Sequence, residues 1–200
     1  MNLAEQYISG LRKAYSDNGG KDIWEHFENV KHGAAQADLD QLKIIYPEIP
    51  ESFINLLEYA DGTYWREYAG EEIALYFLGS DIWEYPYYLL SSQEILANQN
   101  IATQYYLDYI ERQYEEVKID DKITDKTEDV KWLHFSDCMN NGGTSQLFID
   151  FSPSEKGKVG QILRFLHDPD EFKVIAESFD DYLKKMIGNE FDFINEELID

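Results

Sequence analysis

The stretch NNGGTSQLFIDFSPSEKGKVGQILRFLHD at 140–168, with WLHFSDCM just before it, holds the residues whose types and spacing come nearest to chemistry. A glycine pair could cradle an anion, and His134, Cys138 and the His167-Asp168 pair could serve as nucleophile, base or metal ligands. A phosphate cradle needs its glycines to lead into a helix, so that free N–H groups converge on the anion. Here an apolar strand pattern follows, and Asn141-Gly142 is a strong hairpin signal because both residues tolerate positive φ. No GxxxxGK[ST] and no strand-linked GxGxxG occurs. His134 and Cys138 span a strand end and a turn, and two His and one Cys without a spaced fourth ligand make a poor zinc set. A thiolate at Cys138 would need nearby basic charge. His167 precedes Asp168-Pro169, where a turn is the obvious role. Forty Asp and Glu guarantee close carboxylate pairs, so no single pair is informative about glycoside hydrolysis. The expectation is a protein without catalytic residues, metal or cofactor.

The charge balance points elsewhere. Forty acids against seventeen Lys and Arg give a formal net charge of −23. Binding DNA or RNA requires cations that displace counterions from phosphates, so direct nucleic-acid binding is disfavoured, as are anionic membranes. A basic protein partner would be attracted and steered. Four Trp, fifteen Tyr and eleven Phe would supply much of a core if buried and a binding surface if clustered outside. The single cysteine excludes an intramolecular disulfide framework. The N-terminal segment MNLAEQYISGLRKAY lacks the apolar run of a secretory signal, and nothing approaches the ~18 apolar residues of a membrane span. A cytoplasmic location is expected.

The elements that must position any site read as follows. Two hundred residues suit one domain. Leu3, Tyr7, Leu11 and Tyr15 predict a helix over 2–16, ended by SDNGG. The segment 22–32 reads as a short helix or turn. Leu39, Leu42 and Ile45 or Tyr46 face one way up to Pro47; after Pro50, Phe53, Leu56, Leu57 and Ala60 form a second stripe that Gly62 stops. EEIALYFLGS at 71–80 predicts a strand apolar on both faces. Ser91 and Glu94 form a capping-box pattern before a helix to about 115. VKIDDKITDKTEDVK, dense in charge of both signs, predicts a solvated loop. Strands follow at 132–135, 146–151 and 159–166. Ser178 and Asp181 cap a last helix with a Phe179, Tyr182, Leu183, Met186, Ile187 face. The tail GNEFDFINEELID carries five acids and no base. Helices at both ends with strands between predict α+β with an antiparallel sheet.

The order of these motifs resembles the SUKH superfamily, or Smi/Knr family. HGAAQADLDQLKIIYPEIPESFINLLEYADG is similar to its opening. WLHFSDCMNNGGTSQLFIDFSP looks like its strand pair, and VGQILRFLHD with IAESFDDYLKKM resembles its closing strand and helix. The likeness spans roughly 32–187. Ser136 stands where the family often has Ala, Asp61 where it often has Asn, and 92–130 matches no motif and reads as an insertion. The resemblance implies one α+β domain, a curved antiparallel sheet flanked by N-terminal and C-terminal helices, without catalytic residues. It also implies an architectural role for Gly33, Pro50, Trp132, Asp150, Gly160 and His167. Bacterial members are commonly immunity proteins that bind and neutralise a cognate polymorphic toxin, often a nuclease; fungal members act as regulatory interaction proteins.

An immunity-type protein that inhibits a basic toxin domain by binding it is therefore the leading expectation. A regulatory scaffold for an endogenous partner is the alternative, and a hydrolase or carbohydrate-binding protein the weakest. The segments that mix aromatics with acids outside the best helices are TYWREY and DIWEYPYY. They nominate Tyr64, Trp65, Glu67 and Tyr68, with Asp81, Trp83, Glu84, Tyr85 and Tyr87, as partner contacts; burial in the core is the competing role for each ring.

Overall fold

A computed structural model describes residues 1–128, 130–140 and 143–199. Helix α1 (Leu3–Asp17) opens on a reciprocal cap: the Asn2 side chain accepts from the Glu5 N–H, and the Glu5 carboxylate accepts from the Asn2 N–H. It buries Tyr7, Leu11 and Tyr15, the i+4 stripe. Helix α2 (Lys21–Val30) buries Trp24 and Phe27, and α3 (Gln36–Ile45) buries Leu39 and Leu42. Helix α4 (Glu51–Tyr59) follows directly on Pro50. The chain before α3 lies hard against α4: a Cβ on Gly33 would sit 2.0 Å from the Glu58 carbonyl oxygen, so only glycine fits.

Strands β1 (Arg66–Tyr68) and β2 (Glu71–Ile73) form a small antiparallel hairpin. Strand β3 (Tyr88–Leu89) precedes three short helices, α5 (Ser92–Ala97), α6 (Ile101–Tyr105) and α7 (Leu107–Ile110). Then come β4 (Lys118–Ile119), β5 (Trp132–Asn140), β6 (Gly143–Asp150), β7 (Gln161–Leu166), β8 (Glu171–Ala176), α8 (Phe179–Gly188) and α9 (Glu196–Ile199). The main sheet has the order β3-β5-β6-β7-β8-β4. All its neighbours are antiparallel except β4 and β8, which are parallel, so the sheet is mixed.

One face of the sheet, through Leu133, Phe135, Leu147, Ile149 and Ile162, joins the core that includes the buried faces of α1–α4 and α8. The other face carries Trp132, Phe148, Leu163, Phe165 and Phe172 under Ala102, Tyr106, Ile110 and Ile123. The class is α+β, with the N-terminal and C-terminal helices packed as expected. Four local expectations change. The run 71–80 pairs as a strand only over β2. The helix from Ser91 keeps its capping box but breaks into three pieces, and the Asn98 side chain, at the C-cap of α5, reaches the His134 ring. The charged stretch contributes β4 and the buried Ile123, so it is not wholly solvated. Strand β8 was not anticipated, although Phe172 and Val174 alternate with Glu171 and Lys173. The expected Asn141-Gly142 turn lies outside the described residues.

Candidate functional site

The residues nearest to chemistry are kept apart by the sheet. A bulge between His134 and Ser136 shifts the register of β5, so that His134 stands opposite Phe148 and Cys138 opposite Ser145. His134 packs on the Phe148 ring, and Cys138 joins the core on the opposite face. His134 Nδ1 accepts from Asn98 Nδ2 at 3.1 Å and Nε2 donates to the Ser136 carbonyl at 3.1 Å, the Nε2–H tautomer. Burial, reinforced by Asp137, pushes the Cys138 thiol up to about 12, the reverse of what a thiolate nucleophile needs. His167 Nδ1 lies 3.3 Å from Asp170 Oδ1. Among the described residues no group of three or more His, Cys, Asp and Glu is arranged to hold a metal ion. No helix among them is long and apolar enough to cross a membrane.

The two aromatic-acidic segments come together at Thr63. Its N–H donates to the Leu89 carbonyl at 2.7 Å, its hydroxyl accepts from the Leu89 N–H at 3.0 Å, and its carbonyl accepts from Leu75 N–H at 3.0 Å. Beside this staple the half-buried Tyr64 ring lies 5.1 Å from Tyr88, which lies 4.8 Å from Tyr76. Burial raises the Tyr64 hydroxyl, and the Asp137 and Glu94 carboxylates add to it, so this row of rings sits among acids. Tyr88 closes the nominated DIWEYPYY segment without being named as a contact, and Tyr76 lies outside both segments. Tyr76 could have been found as the polar-tipped member of the Ala74, Tyr76, Leu78 row.

Trp65 is 58% exposed and adopts a left-handed backbone, φ +50°, a conformation that costs a bulky residue about 1–3 kcal/mol. Glu67 is exposed and stands opposite Glu72 across the hairpin. Tyr68 is a core residue, its hydroxyl donating to the Gly62 carbonyl at 2.7 Å, and is no surface contact. Tyr87 is likewise fully buried, exchanging backbone hydrogen bonds with Leu78. Both corrections have one cause: a phenol ring next to polar sequence can still be the apolar anchor that closes a turn.

Between Leu78 and Tyr87 the chain makes a tip, with Asp81, Trp83 and Glu84 outermost and Tyr85 half-buried. Trp83 is 51% exposed. The approach to this tip makes only the single Leu78–Tyr87 bridge, and three of its other carbonyls accept from tyrosines of the helices. Tyr15 donates to Tyr76 O at 2.8 Å, Tyr7 to Phe77 O at 2.7 Å, and Tyr182 to Gly79 O at 2.7 Å. Asp81 is held from the sheet by Arg164 Nε and Lys173 Nζ, each at 2.6 Å. No ring contact joins Trp65 to Trp83 among the described residues. They are separate exposed rings on one acidic protein.

The architectural residues behave as scaffold. Trp132 is buried. Asp150 accepts from the Ser152 N–H at 2.8 Å and from Gln161 Nε2 at 2.9 Å, closing the loop between β6 and β7. The Gly160 N–H donates to Asp150 O at 2.7 Å from a left-handed backbone, φ +85°. The family model described as SMI1 / KNR4 family (SUKH-1) matches residues 33–185. The chain belongs to this family. The matched span brackets 92–130, so α5–α7 and β4 lie between its ends. No curated protein matches the chain. Membership in the SMI1 / KNR4 family is compatible with an immunity or binding role.

Proposed function

We propose that this SUKH-1 protein is a non-catalytic immunity protein that binds and neutralises a basic toxin domain, with Trp83, Glu84, Trp65 and the Tyr64–Tyr88 rings in the contact surface. The observation that carries the reading is the exposure of Trp65 and Trp83 in a chain that buries Trp24 and Trp132 almost completely. Large rings left outside a core with ample aromatic content serve best where a partner desolvates them. The formal charge of −23 supports the other half of the reading, since it steers a basic partner and repels nucleic acid. In such a complex the acids set the rate and salt dependence of encounter, while the rings set the lifetime.

The test is affinity capture of the tagged protein from its own cells at low and high salt, with mass spectrometry of what co-purifies. The expected result is a basic polypeptide ending in a toxin domain, bound with salt-sensitive association and released by substitution of Trp83 and Glu84. Capture of a housekeeping or signalling protein instead would move the reading to a regulatory scaffold.

A further inference from the structure

A second surface lies beyond α7. Tyr109, Tyr114, Glu115, Glu116, Val117 and Asp170 line a groove of about 380 Å³. Tyr109 presents one side of its ring to Phe165 and Phe172 in the core, at 6.0 and 5.7 Å. Tyr114 packs on Tyr109 from outside, with ring centroids 5.0 Å apart, and remains 45% exposed. Both rings are oriented through their hydroxyls: Tyr109 donates to Asp170 Oδ2 at 2.6 Å and Tyr114 to Asp108 Oδ2 at 3.2 Å. The bond to Asp170, with burial, pushes the Tyr109 hydroxyl up to about 12, so the phenol is neutral at physiological pH.

Acids outnumber bases around these rings, with the exposed Lys118 directly after Val117. Across 104–117 the only base is Arg112, and it is turned inward, its guanidinium donating to the carbonyls of Ile110, Ile123 and Thr124 at 2.6, 2.9 and 3.1 Å. Glu115 and Glu116 are exposed and enter no ion pair or side-chain hydrogen bond among the described residues. An exposed ring face flanked by uncommitted carboxylates attracts a cation by its quadrupole and by charge together. An apolar or anionic group gains neither.

We propose that this groove receives an arginine or lysine side chain of a basic protein partner, stacked on Tyr114 and paired with Glu115 or Glu116. The proposal deepens the binding reading above and rests on it for the partner being a protein. It also gives the segment that matched no sequence motif a role in recognition, beyond its role in covering the sheet.

The test uses the full chain, labelled with nitrogen-15 and titrated with acetyl-Gly-Arg-Gly-amide, with acetyl-Gly-Gln-Gly-amide as the control. The expected result is saturable shifts of the 109–117 and 170 amides with the arginine peptide only, weakened about tenfold in a Tyr114→Ala, Glu115→Gln variant. Both positions are exposed, and an otherwise unchanged spectrum verifies that the variant keeps its fold. Shifts scattered over the surface acids, or undiminished in the variant, overturn the groove. A captured toxin that binds the variant as tightly as the parent also overturns it and leaves the immunity reading standing. Arginine-peptide binding in a chain that captures no toxin does the opposite: the groove stands and the toxin reading falls.

Discussion

Arg164 and Asp81 meet across 83 residues of sequence, with Nε donating to Oδ1 at 2.6 Å. The Arg164 side chain is 1% exposed and is also bound by Glu171 at 2.7 Å, while Lys173 shares the Asp81 carboxylate. A guanidinium this deep is tolerable only while its carboxylates are in place. The pair therefore ties the tip that carries Trp83 to the middle of β7.

Asp81→Asn should destabilise the fold by about 2–4 kcal/mol, because it leaves a buried cation with one carboxylate. Burial pulls the Asp81 carboxyl up, but the bonds from Arg164 and Lys173 outweigh it and the net position is below the ordinary value. Its contribution is then present above the ordinary carboxylate range and lost as pH falls through the lowered folded value. Urea titrations at neutral and acid pH measure this. A variant with an unchanged midpoint at pH 7 removes the clasp from the account.

Trp83→Ala with Glu84→Gln should leave the urea midpoint within about 0.5 kcal/mol of the parent, since both side chains are exposed. Partner affinity should fall by about 2 kcal/mol, roughly 30-fold. Calorimetric titration with the captured partner reads this directly. Full affinity in the variant takes the tip out of the contact surface.

Tyr182→Phe removes the donor to the Gly79 carbonyl and leaves that buried acceptor unpaired. The expected loss is about 1–3 kcal/mol, with weaker partner binding as a second consequence because the tip loses its anchor. Stability loss without any change in affinity would show that the tyrosine supports the core alone.

Asp150 titrates in the other direction from Asp81. Burial raises its carboxyl to about 6 despite the hydrogen bonds from Ser152 and Gln161. The stability linked to it is fully present below the ordinary carboxylate pKa and is lost as pH rises through about 6. A rise of about two pH units corresponds to something on the order of 3 kcal/mol. The difference in unfolding free energy between the parent and Asp150→Asn should therefore change between pH 4 and pH 6 and stay level above 7. A difference that does not vary with pH contradicts the buried-carboxylate account.

Cys138 is 3% exposed and protonated well beyond neutral pH. Iodoacetamide should label it no faster than the chain unfolds, and labelling should accelerate with urea in step with global unfolding. Fast labelling in native buffer would place the thiol at a surface.

The strongly periodic parts of the fold were legible in the chain: the Leu3 to Tyr15 stripe, the paired helices α3 and α4, the Ser91 and Ser178 caps, and the three central strands. Each is encoded within a dozen residues, by apolar spacing and a capping side chain, and needs no distant partner. The same local information located the family motifs and the segments that carry the exposed tryptophans.

What distant contacts decide was not legible. Tyr68 and Tyr87 sit in sequence beside Trp65 and Trp83 with the same chemistry, yet two are core and two are exposed. The run 75–79 has a strand pattern, but tyrosines from α1 and α8 donate to the Tyr76, Phe77 and Gly79 carbonyls, and only the single Leu78–Tyr87 bridge forms there. His134 and Cys138 have the spacing of one face, and a single bulge sends them to opposite faces. The sequence by itself determined the class, the core stripes and the acidity. Tertiary structure alone decided which aromatics face a partner and which acids are left uncommitted, because burial and pairing depend on groups dozens of residues away.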